Sequence, residues 1–256
     1  MRAFRAAVEL AVLELRARQQ RIMALLAFAG LFIATAATAA VLAHEHGHVE
    51  LDTLFQIGGY PLISGVLLLG WLLGRFPLIA TLVLMSGIVA ADRDVGHARI
   101  LAARPTPRAL LYGVRFLVLG ALAYLLSAIL MPLFDLIMLG AWAGPALLVL
   151  ILAHVVVWGS LTVLLSVFTR LDAWLTLLLA MFAMVWDTLR QVGMLPVVPP
   201  MGDIIAFLLP PQAQLFALES AFVGIQPIPW VAFWFCMAYG AVALLLAWRA
   251  LAWREL

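Results

Sequence analysis

Long apolar runs are the feature of this sequence that most limits what it can fold into. The runs 145–168 and 230–248 contain no Asp, Glu, Lys or Arg, and several other runs are similarly apolar. Because an α-helix rises about 1.5 Å per residue, about 20 apolar residues are enough to cross the ~30 Å hydrocarbon core of a bilayer. The sequence therefore predicts an all-α polytopic membrane protein with one membrane domain, residues 1–256.

The composition supports a membrane protein and excludes two kinds of site, a lysine-based phosphate-binding loop and a cysteine-pair motif. Hydrophobic residues make up 66% of the chain and charged residues 11%, against about 45–50% and 25% in soluble domains. All 15 basic residues are Arg, so no phosphate-binding loop of the GxxxxGK[ST] type can exist. The single cysteine, Cys236, excludes an intrachain disulfide and a CxxC metal motif. The chain thus has neither a lysine-based ATP site nor cysteine redox chemistry of its own.

Six segments have the length and composition of membrane spans, and they are 22–43, 69–91, 109–131, 145–168, 173–189 and 230–248. Only one crossing is predicted within the apolar stretch 54–91, because a second would place the two Arg-rich blocks on opposite sides of the membrane. Basic residues flanking spans favour the cytoplasmic side. We therefore expect both termini in the cytoplasm of a bacterial inner membrane, and read the Arg blocks as orientation signals rather than a nucleic-acid site.

Three segments outside these spans have distinct patterns. Residues 1–20 alternate apolar and charged faces at helical spacing, which predicts a helix lying in the membrane interface, with a polar lead-in to the first span as the alternative. Residues 92–108 form a short charged segment on the cytoplasmic side. Residues 191–229 contain seven prolines, which exclude one long helix and favour short outer re-entrant helices.

The segment 90–115 resembles the signature of type-two ABC transporter permeases. In that family the second span ends in an acidic-basic-acidic cluster, followed by a glycine, a short coupling helix and a Pro-x-x-Arg motif. The residues that fit this pattern are Asp92, Arg93, Asp94, Gly96, Leu101, Pro105 and Arg108. The chain departs from it at His97, at Arg99 and at Val114–Arg115, where the family has Thr, an acidic residue and Gly-Lys.

This resemblance implies a non-catalytic membrane subunit that is driven by a separate ATPase. Two ATPase copies would bind ATP and Mg beneath a dimer of two such halves, identical or related. The residues expected to couple the two proteins are Asp92, Arg93, Asp94, Gly96, Arg99, Arg104, Pro105 and Arg108. We expect export of an amphipathic or lipid-like substrate, because a pathway rich in Leu, Ala, Val, Phe and Met offers apolar contact rather than point charges.

Two further groups of residues are candidates for function. Arg75 interrupts an apolar run, so it either reaches the outer head groups or lines the substrate path, where Asp187 or Asp135 could pair with it. His44, Glu45, His46 and His48 follow the first span and could bind a transition metal through their imidazoles. A polar loop explains that cluster equally well.

Other functions remain open at this point. An ABC-type complex could drive an extracytoplasmic partner or metalloenzyme maturation without bulk export. An intramembrane serine protease would need a GxSG motif, whereas Gly159–Ser160 is followed by Leu161–Thr162. An ion-coupled carrier would need ionisable groups deep in the helices, where the sequence has only Arg75 and His154.

Overall fold

A computed structural model describes residues 9, 12–45, 56–57, 60–61, 75–94, 108–139, 144–194, 199–223 and 226–253. Residues 12–17, termed the N-terminal segment, are helical. The helices that follow are α1 (Gln19–Glu45), α2 (Phe76–Met85), α3 (Ala90–Asp94), α4 (Arg108–Leu139), α5 (Pro145–Phe168), α6 (Asp172–Gln191), α7 (Pro199–Leu208), α8 (Gln212–Val223) and α9 (Trp230–Trp253). Between α1 and α2, Gln56–Ile57 (β1) pairs antiparallel with Tyr60–Pro61 (β2).

Helix α5 is the centre of the bundle. The most apolar window of this helix is 72% buried, compared with 22–39% for α4, α6 and α9. It contacts α2, α3, α4, α6, α8 and α9. Its apolar side chains belong to three buried clusters shared with these neighbours. The burial follows from the sequence, because a helix that is apolar on all sides can be surrounded by other helices.

Two glycines allow neighbouring helices to approach α5 closely. A Cβ atom added at Gly240 of α9 would collide with the Val156 side chain and lie 3.2 Å from its carbonyl oxygen. A Cβ at Gly159 of α5 would lie 2.7 Å from the sulfur of Met85. Small residues permit such approach between membrane helices, where packing rather than water exclusion holds helices together.

Within the described residues, four helices are long and apolar enough to cross a membrane, namely α4, α5, α6 and α9. They coincide with the predicted spans 109–131, 145–168, 173–189 and 230–248. The chain is therefore a multi-pass α-helical membrane protein. The described apolar parts of α1 and of α2 with α3 are shorter, so the six-span count stays a prediction.

The predicted span 69–91 differs from the structure in its described part. Instead of a continuous helix to residue 91, α2 ends at Met85 and α3 begins at Ala90. Residues 86–89 form turns between them. The physical reason lies in Ser86 and Gly87, since Ser/Gly pairs are common sites of helix kinks.

The proline-rich stretch 191–229 holds two short helices, α7 and α8, joined by residues Leu209–Pro211. Helix α8 packs against α5 and α9, and it buries Leu215 and Leu218 in the cluster that contains Trp158. The outer, re-entrant placement of these helices stays a prediction.

Candidate functional site

The interruption between α2 and α3 is the structural centre of the candidate site. Ser86 caps the C-terminus of α2 with φ −52° and ψ 130°, which is outside helical geometry. Gly87 follows with φ +72°, a left-handed conformation that glycine adopts without the steric cost of a Cβ. The amides of Ser86 and Ile88 still donate locally, to the carbonyls of Leu82 and Met85. Other backbone groups at the break need partners from elsewhere, because a buried backbone group left unsatisfied is costly.

Two arginines supply donors to the carbonyl groups of the break. Arg18, which joins the N-terminal segment to α1, donates from Nη1 to the carbonyls of Leu84 at 2.5 Å and Ser86 at 2.8 Å. Arg21 donates from its Nη1 to the carbonyls of Ser86 at 2.9 Å and Val83 at 3.3 Å. The start of α1 is thereby attached to the end of α2.

Three backbone amides at the break donate to side chains of α5 and α6. The Gly87 amide donates to Oδ2 of Asp172 at 2.7 Å, and Asp172 is the first residue of α6. The amides of Val89 and Ala90 both donate to the Ser166 hydroxyl at 3.1 Å. Because Ser166 lies in the last turn of α5, the break is held by the connection between α5 and α6.

A chain of ion pairs extends from the break to the start of α4. Glu14 accepts a hydrogen bond from Arg18 at 2.6 Å, and its other carboxylate oxygen lies 2.6 Å from Nε of Arg115, an ion pair whose angle does not make it a hydrogen bond. Arg115 also pairs with Asp92 of α3 at 2.5 Å, and the Tyr112 hydroxyl donates to the same carboxylate at 3.1 Å. The three ionic groups Arg18, Asp92 and Arg115 are buried.

We call this assembly the polar joint. It comprises residues 86–89 and the side chains of Glu14, Arg18, Arg21, Asp92, Tyr112, Arg115, Ser166 and Asp172. Three guanidinium groups and three carboxylates balance in formal charge. Buried charges are tolerated when they are paired and hydrogen-bonded, and removing one partner is strongly destabilising. The polar joint therefore links the N-terminal segment, α1, the α2–α3 break, α4, α5 and α6 at one end of the bundle.

Arg21 differs from the other two arginines of the polar joint. Arg18 and Arg115 pair with carboxylates, whereas the hydrogen bonds of Arg21 within the described residues go to backbone carbonyls only. Burial, followed by repulsion from Arg18, lowers the pKa of the Arg21 guanidinium from its ordinary value, and Asp172 and Glu14 oppose this shift. Arg21 is the cation of the joint whose charge is least compensated.

The structure places the predicted coupling residues as follows. Asp92 is buried and lies against Arg115 and Tyr112; its predicted role in coupling to an ATPase stays a prediction. Arg93 and Asp94 end α3, and Arg108 begins α4, but their side chains lie outside the described part of the structure. Gly96, Arg99, Arg104 and Pro105 lie wholly outside it. The metal-binding prediction cannot be placed either, because only the backbone of His44 is described, in the last turn of α1, and His46 and His48 lie beyond the described residues. The described residues contain no cluster suited to a metal.

Arg75 lies at the other end of α2, directly before its first residue. Its Nη2 atom is 4.0 Å from the carboxylate of Glu219 in α8 and 3.9 Å from the sulfur of Met184 in α6. Asp187 instead accepts a hydrogen bond from Gln191 at 2.9 Å. Among the described residues, neither Asp187 nor Asp135, the two predicted partners, forms an ion pair with Arg75, and the acid beside it, Glu219, comes from α8.

Asp187 also lines a cavity of about 230 Å³ among α6, the α7–α8 connection and α9. The cavity wall includes both polar and apolar side chains, among them Trp186, Arg190, Phe207, Gln212 and Phe235. Of the two residues predicted for a substrate path, Arg75 thus contacts α6 and α8, and Asp187 of α6 faces this cavity.

Most residues of the polar joint could not be identified from the sequence. Glu14, Arg18 and Asp172 appear in the sequence only as charges next to apolar runs, a position typical of any membrane protein. The Ser86–Gly87 pair within the run 76–91 was the signal that could have located the break. Nothing local in the sequence indicates that Glu14 contacts Arg115.

No protein-family model matches this chain, and no curated protein or solved structure is significantly similar to it.

Proposed function

We propose that this chain is the membrane-spanning half-subunit of an ATP-driven, type-two ABC transporter and works with a separate ATPase. The ion pair between Asp92 and Arg115 is the observation that carries this proposal. It joins Asp92, the first residue of the segment 92–108, to Arg115 of α4, the helix that begins at the other end of this segment. The sequence resemblance assigns the segment to ATPase contact. A displacement of that segment would act on the pair first.

The polar joint then offers a route from the ATPase to the membrane helices. From Arg115 the ion pairs continue through Glu14 to Arg18, which holds two carbonyl groups of the α2 break. Coupling between distant sites needs packed or hydrogen-bonded elements that move together. We propose that α2, α4 and the N-terminal segment shift together when the ATPase moves.

The proposed complex contains two of these half-subunits, identical or related, and two ATPase subunits that bind ATP and Mg. It lies in a bacterial inner membrane with both termini in the cytoplasm, and it exports an amphipathic or lipid-like substrate. Arg75 and the Asp187 cavity are the proposed polar positions along or beside the path. In this proposal the chain itself catalyses no reaction.

The first test is purification of the tagged chain from its native membranes, followed by identification of bound proteins and ATPase assay in proteoliposomes. We expect a P-loop ATPase to co-purify, and its hydrolysis to rise with an amphipathic substrate. Full transport by the purified chain without any ATPase would contradict the proposal.

A second test separates coupling from assembly. We expect Asp92→Asn to retain ATPase binding but to reduce substrate-stimulated hydrolysis, because the base of the segment loses its charge pair. Arg249→Gln is the matched control, since Arg249 is an exposed charge near the end of α9. If both variants reduce substrate-stimulated hydrolysis equally, the polar joint has no specific role in coupling.

Orientation can be measured with single cysteines, because Cys236 is buried and its replacement by Ala provides a cysteine-free background. We expect His97→Cys to react with an impermeant maleimide only from the cytoplasmic side. Gln226→Cys should react only from the opposite side. Reaction of both positions from the same side would overturn the six-span topology.

A further inference from the structure

A groove runs along the surface beside Arg21. Ile79, Leu82 and Val83 of α2 form one wall, and Ala173, Trp174 and Leu177 of α6 form the other, with Arg21 and Ser86 completing the lining. Its volume is about 390 Å³, within the range of about 300–1,000 Å³ that is common for ligand pockets. The groove is apolar along its walls and polar where Arg21 lies.

Arg21 retains unused hydrogen-bonding capacity. Only Nη1 donates, to the carbonyls of Ser86 and Val83, so Nε and Nη2 make no hydrogen bond with the described residues. The nearby acid Asp172 is already engaged by the amides of Gly87 and Ala173. A guanidinium with free donors matches the geometry of a phosphate group.

The position of Arg21 along α1 indicates the depth of the site. Arg21 lies two residues after the start of α1, and the apolar run of this helix begins at Ile22. Trp174, on the opposite wall, is 68% exposed. Arginine and tryptophan at the end of a span are typical of the head-group region of a membrane.

We propose that this groove binds one anionic phospholipid from the leaflet next to the polar joint. Its phosphate pairs with the free donors of Arg21, and an acyl chain lies between α2 and α6. Charge complementarity selects this occupant, because the apolar walls suit any lipid chain whereas Arg21 favours a net negative head group. The bound lipid gives Arg21 an anionic hydrogen-bond partner, which no described carboxylate provides, and so strengthens the attachment of α1 to the α2 break. This inference does not depend on the proposed transport function.

The test uses the full-length chain in detergent, titrated with phosphatidylglycerol or with phosphatidylcholine of the same acyl chains. Bound lipid is counted by native mass spectrometry, and thermal unfolding is followed in parallel. We expect tighter binding of phosphatidylglycerol and a higher melting temperature in its presence. Arg21→Gln should weaken phosphatidylglycerol binding about tenfold, as the loss of a charge-assisted hydrogen bond does, and should leave phosphatidylcholine binding unchanged.

Three further variants keep the result decisive if Arg21→Gln folds poorly. Arg16→Gln removes the same charge from an exposed position on the N-terminal segment and should leave lipid binding unchanged. Leu177→Trp fills the groove without changing charge and should weaken the binding of both lipids. Leu178→Trp, at an exposed neighbouring position, should weaken neither.

Equal losses with Arg21→Gln and Arg16→Gln would overturn the proposal, because they would show only a general effect of charge. Equal affinity of the wild type for the two lipids would also overturn it. The same holds if the Trp174→Cys variant forms a disulfide with a second copy of the chain, because the groove would then be covered by protein.

Discussion

Asp92 and Arg115 are 23 positions apart in the chain, yet Oδ2 of the carboxylate lies 2.5 Å from Nη1 of the guanidinium. Asp92 belongs to α3 and Arg115 to α4. Since Arg115 also pairs with Glu14, this one guanidinium connects the N-terminal segment, α3 and α4. Mutation of Arg115 therefore tests both ion pairs at once.

Replacement of Arg115 by Leu should destabilise the protein strongly. The carboxylates of Asp92 and Glu14 would both lose a partner in a poorly hydrated site, and the loss of one partner of a buried ion pair costs about 3–5 kcal/mol. Reversible unfolding in mixed detergent, followed by circular dichroism, measures this change. Arg249→Leu removes an exposed arginine that stacks on Trp253, and it should cost under about 1 kcal/mol.

A double variant distinguishes pairing from simple loss of volume. Asp92→Leu together with Arg115→Leu should be less destabilised than the sum of the two single variants, because neither residue then leaves the other unpaired. Additive losses would contradict the ion-pair interpretation.

Gly87→Ala should destabilise the helix break through the backbone alone. The added methyl group has room, since its nearest side-chain neighbour, Cβ of Ala91, would be 3.6 Å away. The φ of +72° is nevertheless left-handed, which costs a non-glycine residue about 1–2 kcal/mol. Gly30→Ala is the control, because that position in α1 is open and alanine favours helices. If the two variants melt at the same temperature, position 87 is not strained.

Ser166→Ala should destabilise far more than its small change in volume suggests. It removes the acceptor of the Val89 and Ala90 amides, and each buried donor left unsatisfied costs about 1–3 kcal/mol. Ser127→Ala is the matched control, because that buried hydroxyl only donates to the Ala123 carbonyl of its own helix. Similar unfolding free energies for the two variants would contradict the role of Ser166.

Arg75→Met should separate a structural role from a role in transport. The contact with Glu219 is long, at 4.0 Å, and both side chains are partly exposed, so its loss should cost no more than about 1 kcal/mol. If the Arg75→Met variant is stable but has reduced substrate-stimulated ATPase activity, Arg75 lies on the substrate path. Unchanged activity in Arg75→Met and in the control Glu219→Gln would remove Arg75 from that path.

The sequence by itself determined which parts of the chain are membrane helices. The helices α4, α5, α6 and α9 coincide with apolar runs because length and hydrophobicity are local properties, readable without knowledge of any neighbour. Proline content likewise limited 191–229 to short helices, since proline removes a backbone donor wherever it occurs.

Only the tertiary structure decided which charges meet. Glu14 contacts Arg115, and Glu219 rather than Asp187 or Asp135 lies beside Arg75, because partner choice depends on how each helix is rotated and how closely it packs. That packing is set by contacts such as Gly240 against Val156, which no single segment specifies. The break at residues 86–89 is of the same kind. Ser86 and Gly87 permit it, but donors and acceptors from Arg18, α1, α5 and α6 stabilise it, because backbone groups buried in the protein need partners in place of water.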